Sequence, residues 1–336
     1  MSHSRYRTAL IALGVALPVV LLISAGLGAY FVAPWDIPRV LAGSHDEAAF
    51  RVLAYIRFPR VVLSALVGAA LAVAGAGMQG LFRNPLADPQ LVGVTGGAAA
   101  GASISIVFFG AAGLGLWTVP VAAFLGSCLA VTVVLKIAQL SGTGRTATLL
   151  LTGIAVNAIA FACIGLMITY ANDQQLRDIT FWQLGGFSHS TWPLVLASAV
   201  FMAVGIVVLL RLGSSLNALA LGDREAFHLG ISLPSVQRRL VVASALVVGA
   251  AVSAAGSIGF VGLITPHMLR LTMGADHRWL LPASALGGAI LLTLADLAAR
   301  TIAMPTEIPV GIITAIAGGP FFIWLILRNG RRHSHA

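Results

Sequence analysis

This chain carries very little charge for its length. Of its 336 residues, 58% are hydrophobic and only 9% are Asp, Glu, Lys or Arg, whereas soluble domains average about 25% charged residues. The composition therefore excludes an ordinary soluble domain and is typical of a protein embedded in a membrane. The 20 Lys and Arg outnumber the 11 Asp and Glu and give a formal net charge of +9. In a membrane protein this excess reports orientation and does not indicate nucleic-acid binding.

Lysine and cysteine are nearly absent, and each absence excludes a kind of site. The single lysine, Lys136, lies in Val-Val-Leu-Lys-Ile, so the phosphate-binding pattern G-x-x-x-x-G-K-[ST] occurs nowhere in the sequence. The spacing of the two cysteines, Cys128 and Cys163, fits neither a metal site nor a disulfide framework. The zinc-protease pattern H-E-x-x-H is missing as well. We therefore predict that this chain has no ATPase of its own, binds no metal or cofactor and is not an enzyme.

Apolar runs of about 20 residues, the length that crosses the hydrocarbon core of a bilayer, occupy most of the chain. The polar intervals between them are too short to fold as separate domains without help. We predict an all-α, polytopic membrane protein with about ten transmembrane helices, in which residues 1–336 form a single transmembrane domain. The predicted spans are 9–32, 58–80, 91–111, 117–138, 147–170, 191–211, 240–256, 258–273, 279–299 and 307–327.

The basic residues predict which loops face the cytoplasm, because short cytoplasmic loops are enriched in Lys and Arg. Spans that alternate from a cytoplasmic N-terminus put fourteen of the 20 basic residues inside and both termini in the cytoplasm. The fourteen are Arg5, Arg7, Arg83, Lys136, Arg145, Arg211, Arg224, Arg238, Arg239, Arg270, Arg278, Arg328, Arg331 and Arg332.

Three arginines fall at the outer surface, where this rule does not place them. Arg57, Arg60 and Arg300 there indicate either a docking site for an acidic partner or side chains that extend to lipid headgroups. The sequence leaves both interpretations open. Asp296 precedes Arg300 by four residues, so we expect these two to pair on one helix face.

The inner loop over residues 216–231 predicts a short amphipathic helix. Asp223 is expected to cap this helix and Gly230 to end it, with Leu221, Ala226 and Phe227 as an apolar surface among charges. Either the helix lies on its own bundle or in the lipid interface, or it docks on a cytosolic partner, and periodicity alone favours neither.

A glycine-rich segment over residues 256–270 also contains Pro266 and His267. A bilayer tolerates such an interrupted helix only where neighbours satisfy its backbone, so we expect it to be internal. His267 is expected to be a packing residue.

Five segments in order carry distinctive motifs. They are Arg-Phe-Pro-Arg (57–60), Phe-Arg-Asn-Pro-Leu-Ala-Asp-Pro (82–89), Ala-Leu-Gly-Asp-Arg-Glu-Ala-Phe-His-Leu-Gly (220–230), Gly-Phe-Val-Gly-Leu-Ile-Thr-Pro-His-Met-Leu-Arg (259–270) and Glu-Ile-Pro-Val-Gly (307–311). With these motifs, almost the whole chain resembles the permease subunits of ABC importers for cobalamin, haem and iron-siderophores.

This resemblance implies the type II ABC importer permease fold and an assembly in the bacterial inner membrane. The assembly would be a homodimer with two cytosolic ATP-binding subunits, which bind ATP and Mg, and a periplasmic substrate-binding protein. The resemblance makes residues 214–235 the coupling loop that docks on the ATPase. The implied coupling residues are Leu221, Gly222, Asp223, Arg224, Glu225, Ala226, Phe227 and Gly230.

The same resemblance assigns two further groups of residues. Arg57, Arg60 and Arg300 match positions that receive acidic side chains of the binding protein. The cytoplasmic gate maps onto four residues, Asn84, Leu86, Thr146 and Ala147, although the sequence around Thr146 departs from the family pattern.

The cargo is the least determined expectation. His189 and His45 lie in predicted outer loops, where they are placed to contact an iron centre, so haem is favoured over a siderophore or cobalamin. An ATP-independent secondary transporter is the alternative from another class, and it would show inverted repeats and charges at the membrane midplane.

Overall fold

The structure is a computed structural model that describes residues 3–43, 46–110, 115, 117–140 and 145–333. Within these ranges its regular elements are all helical. The ten helices of 13 or more residues are α1 (His3–Gly26), α4 (Phe58–Phe82), α5 (Val94–Phe109), α6 (Thr118–Leu140), α7 (Arg145–Tyr170), α9 (Trp192–Arg211), α12 (Leu233–Ala255), α13 (Val261–Met273), α14 (His277–Thr301) and α15 (Val310–His333). The shorter ones are α2 (Ile37–Leu41), α3 (Glu47–Arg51), α8 (Asp173–Leu184), α10 (Gly213–Leu221) and α11 (Asp223–His228).

The prediction of an all-α protein with about ten long helices is confirmed, since each predicted span overlaps one of the ten longer helices. Seven helical segments of the described chain are long and apolar enough to cross a membrane, and α5 and α15 add shorter apolar stretches. The protein is therefore a multi-pass membrane protein. A π-helical stretch (Val52–Arg57) leads into α4, and a 3-10 helix (Pro89–Val92) leads into α5.

Several helix boundaries differ from the prediction, and α12 begins at Leu233, seven residues before its predicted start. Two of the differences change the architecture. The first helix ends at Gly26 and does not continue to residue 32, because Gly28 turns the chain with a φ of +148°. The other difference is α13, which begins at Val261 and has only 13 residues. At 1.5 Å per residue it is about 20 Å long, too short for the roughly 30 Å of a hydrocarbon core.

The segment that precedes α13 is not helical, and neighbouring segments satisfy its backbone. The side-chain amide of Gln90 donates to the carbonyl of Ile258 at 3.2 Å. The backbone N–H of Gly186 donates to the carbonyl of Ala255 at 2.8 Å. An irregular backbone of this kind persists at membrane depth only when it is buried in protein. The expectation that this interrupted region is internal is confirmed.

Helix α4 is the centre of the bundle, and close helix contacts at glycines bury it. About 78% of its most apolar window is buried, against 17% for α1. A Cβ on Gly68 would lie 2.2 Å from the carbonyl oxygen of Gly288 on α14, and one on Gly75 would lie 1.9 Å from that of Gly262 on α13. Small residues of this kind let transmembrane helices approach closely enough for backbone contact.

Substitution of Gly68 tests this packing. Gly68→Ala should lower the free energy of unfolding by about 1–3 kcal/mol, because the added methyl forces α4 and α14 apart. Gly14→Ala in α1 is the matched control, since no atom lies within 4 Å of a Cβ built at Gly14. Thermal unfolding of the purified variants in detergent measures both. Equal melting temperatures for the two variants would contradict the packing described.

Candidate functional site

The helices bring the candidate functional residues to two opposite ends of the bundle. Helix α4 starts beside Arg60 and ends beside Arg83, and α14 runs in the opposite direction. We call the end that holds Arg60 and Asp296 the Arg60 end. The end that holds Arg83 and Asp223 is the Asp223 end.

Two consecutive short helices, α10 and α11, project at the Asp223 end. Leu216 and Leu219 of α10 are fully buried and belong to the main hydrophobic core. In contrast Leu221, Phe227 and Leu229 are 68%, 75% and 62% exposed. We call these three side chains the α11 patch. These apolar side chains are exposed in and beside α11, next to the buried side chains of α10, and Arg224 and Glu225 of α11 are exposed as well.

Two expectations for this element are wrong in detail. Asp223 is the first residue of α11 and makes no capping bond, because Gly222, with a φ of +134°, occupies the N-cap position. Ala226 is fully buried and packs in the core, since it lies on the side of α11 that faces the bundle. The predicted end is confirmed, because Gly230 adopts a φ of +77° and its N–H donates to the carbonyl of Phe227.

Asn217 fixes α10 to the start of α14. Its side-chain amide donates to Asp276 at 2.6 Å, and its oxygen accepts the backbone N–H of His277 at 2.8 Å. Asp276 also receives the backbone N–H and the guanidinium of Arg278. These hydrogen bonds, those of Arg278 foremost, hold the pKa of Asp276 well below its usual range. The carboxylate is therefore charged at any physiological pH and keeps α10 attached to α14.

Arg83 connects the end of α4 to α11. Its guanidinium donates to the carboxylate of Asp223, and both side chains are partly exposed. Arg83 also has a left-handed backbone with a φ of +48°. At a helix end this conformation is usually adopted by glycine. Left-handed backbone costs about 1–2 kcal/mol at a residue with a Cβ, whereas an exposed ion pair contributes about 0–1 kcal/mol. Taken together, the backbone strain at Arg83 and its ion pair with Asp223 are therefore close to neutral or unfavourable for the stability of the fold.

The predicted gate residues lie at the same end. Asn84 accepts the N–H of Leu86 at 2.9 Å in a tight turn, and Leu86 is 40% exposed. Ala147 is exposed in the first turn of α7, and Thr146 is the second residue of that helix, with a side chain outside the described part of the chain. The two segments are joined further along, because the side chain of Asn157 on α7 donates to the carbonyl of Gln90 at 3.2 Å. A gate function for these four residues stays a prediction.

A buried charge cluster occupies the Arg60 end. Arg60 binds Asp296 of α14 through two nitrogens at 2.9–3.1 Å and binds Glu307 at 2.9 Å. The predicted pair of Asp296 with Arg300 is confirmed at 3.6 Å. Asp296 is 0% exposed. Because no water reaches its carboxylate, Arg60 and Arg300 supply the compensating positive charge.

Arg57 and Arg300 bind the carboxyl-terminal carbonyls of α1. Arg57 donates to the carbonyls of Ala25 and Gly26, each at 2.8 Å, and Arg300 donates to that of Leu27 at 2.6 Å. The last carbonyls of a helix lack partners within the helix, and here two guanidinium groups satisfy them.

Contrary to the expectation from the sequence, Arg57, Arg60 and Arg300 are therefore not exposed at the surface, and their docking to a binding protein stays a prediction. Their exposed fractions are 5–8%, because carboxylates and carbonyls of the chain itself hold each guanidinium inside. Exposed cations at this end include Arg39 and Arg51, whose side chains are 81% and 74% exposed, and Arg177 of α8.

The histidines have different surroundings. His267 is 8% exposed and packs edge-on to Phe321 with ring centroids 6.1 Å apart, as expected of a packing residue. His189 is exposed beside Ser188 at the Arg60 end. His45 lies outside the described residues.

Sequence reasoning missed four contributors to these sites. Asn217 and Asp276 carry no recognisable motif, and their contact joins residues 59 positions apart. Arg83 and Glu307 do lie in the distinctive motifs at 82–89 and 307–311. Those motifs were the available signal, although nothing in them identifies the partners of the two side chains.

The family model of the FecCD transport family matches residues 16–328. The chain belongs to the FecCD transport family. It is 44% identical over 326 residues to the hemin transport system permease protein HmuU of Yersinia pestis, with 95% of each chain covered. It is also 44% identical over 280 residues to the cobalamin import system permease protein BtuC of Halobacterium salinarum, with 83% of this chain and 74% of the relative covered.

A solved structure shares the fold of this FecCD protein. It is described as a metal-chelate type ABC transporter in an inward-facing conformation, with a TM-score of 0.86 and 32% identity. The match covers 96% of this chain and 99% of the other. These likenesses confirm the family resemblance and the permease fold, and they make this FecCD protein an ABC transporter permease.

The charge cluster of this FecCD protein yields a stability prediction. Asp296→Ala should lower the free energy of unfolding by about 3–5 kcal/mol, because it leaves Arg60 and Arg300 buried without their shared counter-charge. Glu47→Ala is the control, since it breaks the exposed pair with Arg51 and should cost about 0.5 kcal/mol or less. Thermal unfolding in detergent compares the two. A melting temperature for Asp296→Ala equal to that of Glu47→Ala would refute the role of the cluster.

Proposed function

We propose that this chain is the membrane-spanning subunit of an ATP-driven importer that moves haem from the periplasm to the cytoplasm across the bacterial inner membrane. It works as a homodimer with two cytosolic ATP-binding subunits and a periplasmic binding protein. The ATP-binding subunits hold ATP and Mg, and this chain holds no cofactor of its own.

The α11 patch is the observation that carries this proposal. Three large apolar side chains are exposed at the Asp223 end. With this end outside the hydrocarbon core, lipid does not cover them. An aromatic residue in such a patch is typical of the residues that dominate binding energy in protein interfaces. Because this chain has no P-loop, an ATP-driven transporter built on it needs a surface that binds a separate ATPase subunit. The neighbouring Arg224, Glu225 and Gly230 lie at the rim of that interface.

The distribution of arginine supports a cytoplasmic Asp223 end. Arg83 and Arg278 lie at this end with Asp223, and the bulk of the other basic residues fall in loops of the same side. The excess is the one expected of cytoplasmic loops. With that orientation both termini are cytoplasmic and the Arg60 end faces the periplasm.

A periplasmic binding protein would approach the Arg60 end. Arg39, Arg51 and Arg177 are exposed cations that acidic side chains of such a partner would meet first. Pairs of this kind mainly steer the encounter and set orientation. Arg57, Arg60 and Arg300 contribute to docking only if the partner opens the buried cluster, because their donors are occupied in this conformation.

The cargo is inferred from likeness and from one side chain. The hemin permease relative covers 95% of this chain, against 83% for the cobalamin permease relative at the same identity. His189 is exposed at the end where cargo enters, and neutral imidazole is a haem-iron ligand. Cobalamin and ferric siderophores remain the alternative cargoes within the same transport class.

Transport needs no covalent chemistry from this chain. ATP binding and hydrolysis in the partner shift the helices between inward-open and outward-open arrangements, and the permease contributes contacts that differ between the two states. Asn84, Leu86, Thr146 and Ala147 form the cytoplasmic gate in this scheme, which closes when the bundle opens outward.

Uptake by reconstituted complex tests the proposal. Proteoliposomes that contain the permease and its ATP-binding subunits, with binding protein added outside, should accumulate haem only when ATP is enclosed. Permease that carries Phe227→Ser should lose most uptake, because the patch loses its aromatic anchor. Ferric siderophore and cobalamin are measured in parallel.

Two results would contradict this function in different ways. Uptake of cobalamin but not haem would show that the cargo is wrong and the transport class right. Uphill accumulation by the permease alone, without ATP-binding subunits, would instead favour an ATP-independent secondary transporter.

A further inference from the structure

The ion pair of Arg83 with Asp223 joins two segments that have separate predicted roles. Arg83 opens the loop that holds Asn84 and Leu86, and Asp223 is the first residue of α11. The guanidinium donates to the carboxylate across 140 positions of sequence. The pair therefore connects the element that carries the α11 patch to the loop that carries half of the predicted gate.

The backbone of Arg83 indicates that its side chain has a use other than stability. The residue holds a left-handed φ of +48° at the C-cap of α4, where glycine fits without strain. An exposed ion pair does not compensate for that strain. Strained residues of this kind cluster at functional and switch regions.

Helix α10 is held more extensively than α11, in which only Ala226 is buried. Asn217, Leu216 and Leu219 hold α10 against α14 and the core. Gly222 separates the two helices with a φ of +134° and lacks a Cβ. Few residues other than glycine adopt this backbone, and such positions absorb changes in φ and ψ at hinges.

From Arg83 a continuous series of contacts leads into the bundle. The loop after Asn84 ends at Asp88, which caps the 3-10 helix by accepting the N–H of Gln90 at 2.7 Å. The side chain of Gln90 then donates to the carbonyl of Ile258 at 3.2 Å, in the non-helical segment before α13. The loop after α4 and the 3-10 helix thus connect Arg83 to an irregular part of the bundle.

We propose that Arg83 is a positioning residue that passes the movement of α11 to the loop after α4, so that gate opening follows the state of the ATP-binding subunit. This inference rests on the proposed function, because it presumes that the α11 patch binds an ATPase. It adds the residue through which that binding acts on the gate.

Arg83→Gly is the informative variant, since glycine removes the guanidinium and relieves the left-handed backbone. In the reconstituted complex this variant should keep its melting temperature and its affinity for the ATP-binding subunit. The number of cargo molecules moved per ATP hydrolysed should fall about tenfold, with hydrolysis itself continuing. Arg7→Ala removes an exposed arginine of α1 instead and should leave this ratio unchanged.

A charge exchange separates coupling from a merely structural effect. Asp223→Arg alone should lower the ratio as Arg83→Gly does, and the double variant Arg83→Asp with Asp223→Arg should recover a large part of it. An unchanged ratio in Arg83→Gly, or no recovery in the double variant, would overturn this inference while the wild-type complex still transports. A wild-type complex that shows no ATP-dependent uptake would overturn the proposed function and this inference together.

Discussion

Charged groups inside a bilayer must find their partners within the protein, because the hydrocarbon core supplies no water. Asp296 is fully buried in α14, and the structure surrounds it with Arg60 and Arg300 at 2.9 and 3.6 Å. Once Arg60 must reach Asp296, the start of α4 is fixed against the end of α14. Arg300 extends the arrangement to α1 by donating to the hydroxyl of Ser24 at 2.8 Å. One buried carboxylate thus orders three helices at the Arg60 end.

The same constraint explains why charge is arranged so differently at the other end. Outside the hydrocarbon core water is available, so Asp223 and Arg83 remain partly exposed and their pair adds little stability. A weak pair can break and re-form at small cost, which suits a contact that has to change between states. Between the two ends, glycine contacts such as Gly68 with Gly288 hold the central helices at backbone distance.

The sequence predicted the elements better than their contacts. Hydrophobic length located the ten long helices, since it depends only on local composition, and the spacing of Asp296 and Arg300 predicted their pair. Arg60 with Asp296 was beyond reach, because the two are 236 positions apart and many charged pairs are compatible with the same spans. Ala226 was misplaced because α11 has only six residues, too few for periodicity to define a buried face. The family motifs indicated which segments matter, but not that Arg57 and Arg60 of the first motif point inward.

The central claim is that an ATP-binding subunit covers the α11 patch. In a chain with Cys128 and Cys163 replaced by Ala, a single cysteine at Phe227 should react readily with a water-soluble maleimide, because that position is 75% exposed. Assembly with the ATP-binding subunits should reduce the labelling rate at least tenfold, whereas a cysteine at exposed Tyr55 of the Arg60 end should react at the same rate in both samples. An equal rate at Phe227 with and without the ATP-binding subunits would contradict the account.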